Sequence, residues 1–453
     1  MIPSSSPPQH WSGRITAHVS AASYDSYSSA RRWAKRGSVS VVDQGLVSGA
    51  NYFVSVFFVR LLSPSDYGAF SISFSLFLLL AGLHNAIVLE PLSVVGPKRY
   101  AVAMAPYLRA ATIVHLMTAG GLALSVAAMS LLLPAGQHSV AEALQRMAAG
   151  SFFVFLFWLL RRQCYLLGKP AHAARASGVY MLTLLAGIYL WRQFGSPSPG
   201  TPFLIMGISS VAASLALIPM QTRILREDNA ALDSASLRGV ARSHWRYAQW
   251  ILGAAGVAWL AELSYPMLLG IYANSESAGA YRAGELMVIP MYQFVSALSL
   301  PLQPWVSSRV ALRGTEYLKD FFVKGSLLVG GATVLYAALL LLTSRSIVAL
   351  AYPKNYSFPV LSILVPLCGW LIVRTNSEVV IGVAMRGAEA TRAIFWSGGI
   401  GAVFTLLAGS ALIQAYGIRG AAWSKLAGSF LQAVVLGCFF FRIAPPRSIK
   451  VCR

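Results

Sequence analysis

Twelve apolar stretches of about twenty residues each follow one another along this chain, and lysine and arginine fall mainly in alternate gaps between them. A helix rising about 1.5 Å per residue needs about twenty residues to cross a hydrocarbon core of about 30 Å, and there only a helix or a closed barrel satisfies the backbone. The chain therefore reads as an all-α integral membrane protein. Its balance agrees: of 453 residues, 56% are hydrophobic and 11% charged. The formal net charge of +21 does not indicate nucleic acid, because that surface gathers its basic groups on one soluble face, whereas here they separate apolar segments.

The hydropathy pattern predicts transmembrane helices at 39–60, 68–90, 107–133, 147–167, 173–192, 202–220, 248–272, 284–308, 322–342, 358–382, 392–414 and 420–441. Of the 36 Lys and Arg, 27 fall in the tails and the even-numbered gaps. Eight (Arg60, Arg146, Arg192, Arg282, Arg345, Lys354, Arg419 and Lys425) fall in the others, and Arg374 lies within a span. By the positive-inside rule both termini are cytoplasmic, which in turn requires an even number of spans. The expected organisation is a disordered basic tail at 1–37, a first lobe at 38–220, a cytoplasmic linker at 221–247, a second lobe at 248–441 and a basic tail at 442–453. Arg31-Arg32 resembles a twin-arginine signal, but no short apolar region with a small-residue cleavage site follows. Cys164, Cys368, Cys438 and Cys452 lack paired spacing, so neither a disulfide framework nor a metal site is indicated.

Two echoes suggest duplication. Gly68-Ala69-Phe70 after the first helix recurs 211 residues later as Gly279-Ala280-Tyr281, and Gly168-Lys169-Pro170-Ala171 after the fourth is echoed 219 residues later by Gly387-Ala388-Glu389-Ala390. Both relate helix n to helix n+6 in one orientation, so the expectation is two six-helix halves in parallel repeat. Duplicated halves in secondary transporters rock about a site near mid-membrane.

Several motifs add to this pattern: Asp43-Gln44-Gly45-Leu46 opening helix one with Asn51 inside it, Leu62-Ser63-Pro64-Ser65-Asp66-Tyr67-Gly68, Glu90-Pro91, Ala351-Tyr352-Pro353-Lys354-Asn355-Tyr356 and Tyr416-Gly417-Ile418-Arg419-Gly420-Ala421. In this order, over about 39–441, the chain resembles bacterial polysaccharide flippases of the multidrug/oligosaccharidyl-lipid/polysaccharide exporter superfamily. The resemblance implies a MATE-like fold of two lobes that moves a lipid-linked oligosaccharide across the bacterial cytoplasmic membrane by alternating access, for O-antigen, capsule or exopolysaccharide synthesis. It also implies membrane lipids, and glycan polymerases or glycosyltransferases, as partners. Pro353 departs from the family, which often has Gly there.

Gln44, Ser48, Asn51 and Ser55 recur at spacings of four, three and four, hence on one helical face. Such a stripe faces either protein or a hydrated lumen, and the size of Asn51 favours the lumen. Glu262, near the middle of helix seven, lies within one residue of the repeat mate of Asn51 and is a candidate for proton or sodium coupling. The alternative is a neutral Glu bonded to a carbonyl or to Tyr265. Arg374 and Glu378, four apart on helix ten, either place a guanidinium for a substrate diphosphate, with Glu378 joining the coupling, or merely neutralise each other. Glu90 is read as an inner-gate carboxylate meeting Arg99 or Arg109, or as an interfacial group. Pro91 is expected to end helix two, Lys425 to snorkel to the outer interface, His115 to be a boundary residue, and the clusters at 161–175 and 223–246 to set topology.

The chain carries no P-loop, GxSxG, HExxH or clustered His/Cys motif. A non-enzyme without a cofactor is expected, driven by an ion gradient, the membrane potential or the substrate gradient. The alternatives are a MATE-type ion-coupled drug or cation exporter, which favours acidic cavity groups, and a membrane glycan polymerase or ligase, which needs a longer external loop than the expected 343–357.

Overall fold

The computed structural model describes residues 26–196, 198–219, 222, 236–313, 315, 317–388 and 390–443. The tail calls at 1–25 and 444–453, and most of the linker up to 235, lie outside these described residues. Within them the first half comprises α1 (Ser26–Leu61), α2 (Pro64–Arg99), α3 (Met104–Leu131), α4 (His138–Leu166), α5 (Pro170–Phe194) and α6 (Thr201–Leu215). The second half comprises α7 (Leu237–Glu262), α8 (Tyr265–Tyr272), α9 (Ser275–Ala297), α10 (Ser299–Arg313), α11 (Tyr317–Ala351), α12 (Ser357–Gly387), α13 (Thr391–Phe404) and α14 (Ser410–Ile443).

These helices make twelve spans. α7 and α8 form one span bent by 57°, because Pro266 near the start of α8 can neither donate to the preceding turn nor let its carbonyls pack as in a straight helix. α9 and α10 form another. α13 runs through a π-helical turn at Thr405–Gly409 into α14, which Gly417 breaks with φ 55° and ψ −130°. That left-handed position suits a residue without Cβ, and it turns the eleventh span back into the twelfth.

The repeat is visible in the helix caps. Ser63 caps α2 by accepting from the Asp66 amide at 3.1 Å, and Asn274, 211 residues on, caps α9 by accepting from the Ser277 amide at 2.8 Å. Among the described residues, seven helices are long and apolar enough to span on length and mean hydropathy alone, and the bent α7–α8 pair adds an eighth. α6 falls short by its length, and α1 and α9 carry Asp43, Asn51, Arg282 and Glu285 on faces turned inward.

The lobes meet along α2 and α9. Towards the face opposite the chain ends, here the distal face, the Arg60 guanidinium caps α11 by donating to the carbonyls of Leu350 and Ala351. There the Tyr356 hydroxyl reaches the Pro64 carbonyl at 3.4 Å, and the Tyr67 and Tyr356 rings meet edge to face at 6.2 Å. Deeper in, Pro290 leaves the Leu286 carbonyl of α9 without its helical donor, and Tyr52 of α1 supplies one at 3.2 Å. At the terminal face, where α1 begins and α14 ends, α7 lies against α2 and α3.

Four expectations change. α1 starts at Ser26, inside the segment read as disordered tail, and α7 starts at Leu237, inside the linker. Pro91 does not end helix two: a π-helical turn at Asn85–Leu89 widens the ring so that the Glu90 amide bonds the Asn85 carbonyl, and the helix continues to Arg99 past a residue that has no N–H. The distal loop expected at 343–357 shrinks to five residues between Ala351 and Ser357.

Candidate functional site

The break between α7 and α8 places Glu262 as the last residue of α7, buried in the second lobe. Three side chains from α14 and α12 converge on it: Trp370 Nε1 donates at 3.0 Å, Ser429 Oγ at 3.1 Å and Gln432 Nε2 at 3.4 Å. Arg374 Nη1 lies 3.2 Å from Glu262 Oε1, its Nε lies 3.2 Å from Glu378 Oε2, and Tyr292 of α9 donates to Glu378 at 2.8 Å. Sequence spacing explains the convergence. Arg374 and Glu378 stand one turn apart entering the π-helical turn Asn376–Gly382, and Lys425, Ser429 and Gln432 share one face of α14.

A second charged set adjoins the first. Lys425 Nζ donates to Glu285 Oε1, Arg282 Nη1 holds Glu285 Oε2 at 3.2 Å, and Lys425 Nζ sits 4.4 Å from the centre of the Trp370 ring. Trp370 thus joins the sets, its face to the lysine and its N–H to Glu262. Lys425 is 3% exposed, so it does not snorkel to the interface. Arg282 stacks over Phe74 at 5.0 Å in the seam and is likewise no loop residue. Both basic groups leave the distal loops, which widens the charge asymmetry between the two faces.

In the first lobe Asp43 is 0% exposed. It accepts from Arg161 Nε at 2.8 and 3.0 Å, and from the hydroxyls of Tyr165 and Ser177. Arg161 therefore pairs inside the protein and is not only a topology signal. The stripe on α1 joins this cluster: Gln44 accepts from Arg161 Nη2 at 2.9 Å and donates to Ser48 at 3.1 Å, and Asn51 Oδ1 accepts from Tyr180 at 2.8 Å. Ser55 Oγ turns back to the Asn51 carbonyl at 3.5 Å. The partners of these side chains belong to α1, α4 and α5 of the same lobe.

Tyr265 does not reach Glu262; its hydroxyl meets Thr405 at 3.1 Å and Ser424 at 3.4 Å. His115 is buried, not at a boundary, and shares a 2.9 Å hydrogen bond with His84, whose ring stacks on Phe155 at 4.8 Å. Glu90 and Arg99 both reach across the seam to α7: Glu90 accepts from Tyr247 at 3.4 Å, and Arg99 donates to Ser243 at 3.5 Å. Arg109, which the sequence reading grouped with them, sits on α3 two positions after Tyr107 of that same seam. Next to them His244, on the turns of α7 ahead of the span, accepts from Tyr107 at 3.0 Å through Nε2 and faces the Ile87 carbonyl at 3.2 Å through Nδ1. A carbonyl accepts only, so Nδ1 carries the proton. Burial pulls its pKa down to about 4.

Sequence reasoning missed the Asp43–Arg161 and Glu285–Lys425 pairs. The signal available was parity: a carboxylate inside a span calls for a cation. Among the described residues, no three His, Cys, Asp or Glu side chains come together as a metal site.

Two six-helix lobes meeting along α2 and α9, with a broken seventh span, form a MATE-like fold. Among solved structures similar to it are an inward-facing multidrug resistance MATE family transporter of the MOP superfamily and the lipid II flippase MurJ in an inward closed conformation. The first has a TM-score of 0.62 and 12% identity over 89% of this chain and 93% of the other. The second has a TM-score of 0.65 and 13% identity over 90% and 89%. A eukaryotic MATE transporter follows at 0.61 and 14%, over 90% and 95%. No protein-family model matches the chain, and no curated protein sequence does.

Proposed function

We infer that the protein is a flippase that carries an isoprenoid-diphosphate-linked oligosaccharide between leaflets by alternating access, with the terminal face cytoplasmic in a bacterial inner membrane. One observation carries the choice of cargo. Four carboxylates within the spans, Asp43, Glu262, Glu285 and Glu378, each lie within 3.2 Å of an arginine or lysine nitrogen. An exporter of cationic drugs attracts its cargo with uncompensated acids; these are compensated already. Arg374 keeps 21% of its side chain exposed while two carboxylates hold it. A diphosphate entering the seam competes with Glu262 and Glu378 for that guanidinium, whose planar fork suits phosphate oxygens. A carboxylate displaced in this way is the natural place for a coupling proton or sodium ion. MurJ is named as a flippase of lipid II, so its likeness in fold is compatible with a lipid-linked cargo here.

The test is reconstitution with fluorescent lipid-linked oligosaccharide, reading leaflet exchange against empty vesicles. Acceleration supports the reading. No acceleration alongside clear efflux of a cationic dye assigns the protein to drug export instead.

A further inference from the structure

Lys425 is enclosed on all the sides that its ammonium presents. Nζ donates to Glu285 Oε1 and lies 4.4 Å from the centre of the Trp370 ring, 5.6 Å from that of Tyr265 and 5.8 Å from that of Tyr281. One carboxylate and three aromatic faces at these distances are the surroundings that an ammonium-type monovalent cation takes in a water-poor site, the carboxylate supplying charge and the rings their negative faces. The other groups facing it are polar but neutral: the Tyr265 hydroxyl is engaged with Thr405 and Ser424. Arg282 holds the remaining oxygen of Glu285 at 3.2 Å.

We propose that Lys425 is a tethered counter-cation filling a monovalent-cation site built from Glu285, Tyr265, Tyr281 and Trp370, so that this site needs no ion from solution. Two features support a filled cation site over an ordinary ion pair. The cage comes from three elements, α8, α9 and α12, and its occupant from a fourth, α14, so the lysine ties them together. In addition, Trp370 couples the cage to Glu262, since the ring that faces the ammonium donates its N–H to that carboxylate. Arg282, Lys425 and Glu285 sum to one positive charge, Arg374, Glu262 and Glu378 to one negative charge, and the two sets balance. Removing the lysine leaves the site one positive charge short. Coupling ions, if the transport cycle uses them, act at Glu262 and Glu378 and not at Glu285.

Cation binding tests this independently of cargo. The purified protein and its Lys425→Ala and Lys425→Ala/Glu285→Gln variants are unfolded thermally in sodium, propylammonium or N-methylglucamine chloride at constant ionic strength. Lys425→Ala is expected to melt lower in N-methylglucamine, which is too bulky for the cage, and to recover saturably in sodium or propylammonium. The double variant, which lacks the carboxylate, shows no such recovery. A Lys425→Ala midpoint that ignores the cation overturns the proposal. So does a sodium response of the unaltered protein that is lost in the double variant. If Lys425→Ala does not accumulate, accumulation of the double variant supports the assignment, because the carboxylate facing the emptied cage is then the cause, and loss of both overturns it.

Discussion

Gly68 and Gly279 occupy the same place in the two halves, 211 residues apart, and lie against each other where α2 crosses α9. A Cβ on Gly279 would stand 3.0 Å from the Gly68 nitrogen, and one on Gly68 only 1.8 Å from the Ser275 carbonyl oxygen. The duplicated motif is thus the contact between the duplicates, and the pseudo-twofold passes between the two glycines. Backbone has nowhere to retreat at such a crossing, so overpacking should cost about 1–3 kcal/mol or more. Gly68→Ala should lower the thermal midpoint most, Gly279→Ala less, and Gly49→Ala, whose added methyl meets nothing within 4 Å, least. Gly68→Ala should also favour separation of the lobes at the distal face. Cross-linking of cysteines introduced on α2 and α9 near that face reads it; unchanged cross-linking with an unchanged midpoint would count against a tight crossing.

How far the chain could be read from sequence follows from the range of each interaction. Span order, the repeat and the Gly-Ala-aromatic echo were legible, because hydropathy and close helix crossings leave local marks. The stripe of Gln44, Ser48 and Asn51 was legible as one face, but not its partner, since Tyr180 and Arg161 lie more than a hundred residues away. Lys425 was misjudged for the same reason. Its distance from the end of a span suggested the interface, while its partner Glu285 lies 140 positions earlier and can be paired with it only through the fold. The break at Glu262 was hidden because Pro266 falls inside a stretch whose length and hydropathy read as one span.

Arg374 offers the sharpest test of cargo. On the flippase reading it holds a diphosphate through charge-assisted hydrogen bonds of about 1.5–3 kcal/mol, so Arg374→Gln should slow leaflet exchange of lipid-linked oligosaccharide tenfold or more. Arg374→Lys should recover only part of this, because a point charge cannot serve Glu262, Glu378 and two phosphate oxygens in one plane. Glu262→Gln should leave the fold intact, as its amide oxygen still accepts from Trp370 or Ser429, and should weaken the dependence of exchange on a proton or sodium gradient. Exchange that keeps its full gradient dependence removes Glu262 from coupling.

Asp43 and Arg161 form the first lobe's buried pair, and breaking such a pair from one side costs about 3–5 kcal/mol because the other charge stays behind. Asp43→Asn should therefore destabilise strongly, because it leaves Arg161 amide oxygens but no counter-charge. Asp43→Asn combined with Arg161→Gln should cost clearly less than the two single changes together. Chemical unfolding of all three variants measures this coupling, and simple additivity would mean that the two residues act separately.

His244 makes the seam at the terminal face sensitive to acid. Buried between Tyr107 and the Ile87 carbonyl, it takes a proton only near pH 4, whereas an exposed histidine does so near 6.5. Between those values the unfolded chain binds a proton that the folded chain refuses, so stability falls as pH drops from about 6.5 to about 4, at a slope of at most about 1.4 kcal/mol per pH unit, and is flat above. Protonation also removes the lone pair on Nε2 that accepts from Tyr107, so the contact between α7 and α3 loosens in the same window. His244→Gln keeps an acceptor without a titratable ring. Thermal midpoints from pH 4.5 to 7.5 should slope less in this variant than in the unaltered protein. Identical slopes would place the acid sensitivity elsewhere, for instance in the buried pair His84 and His115.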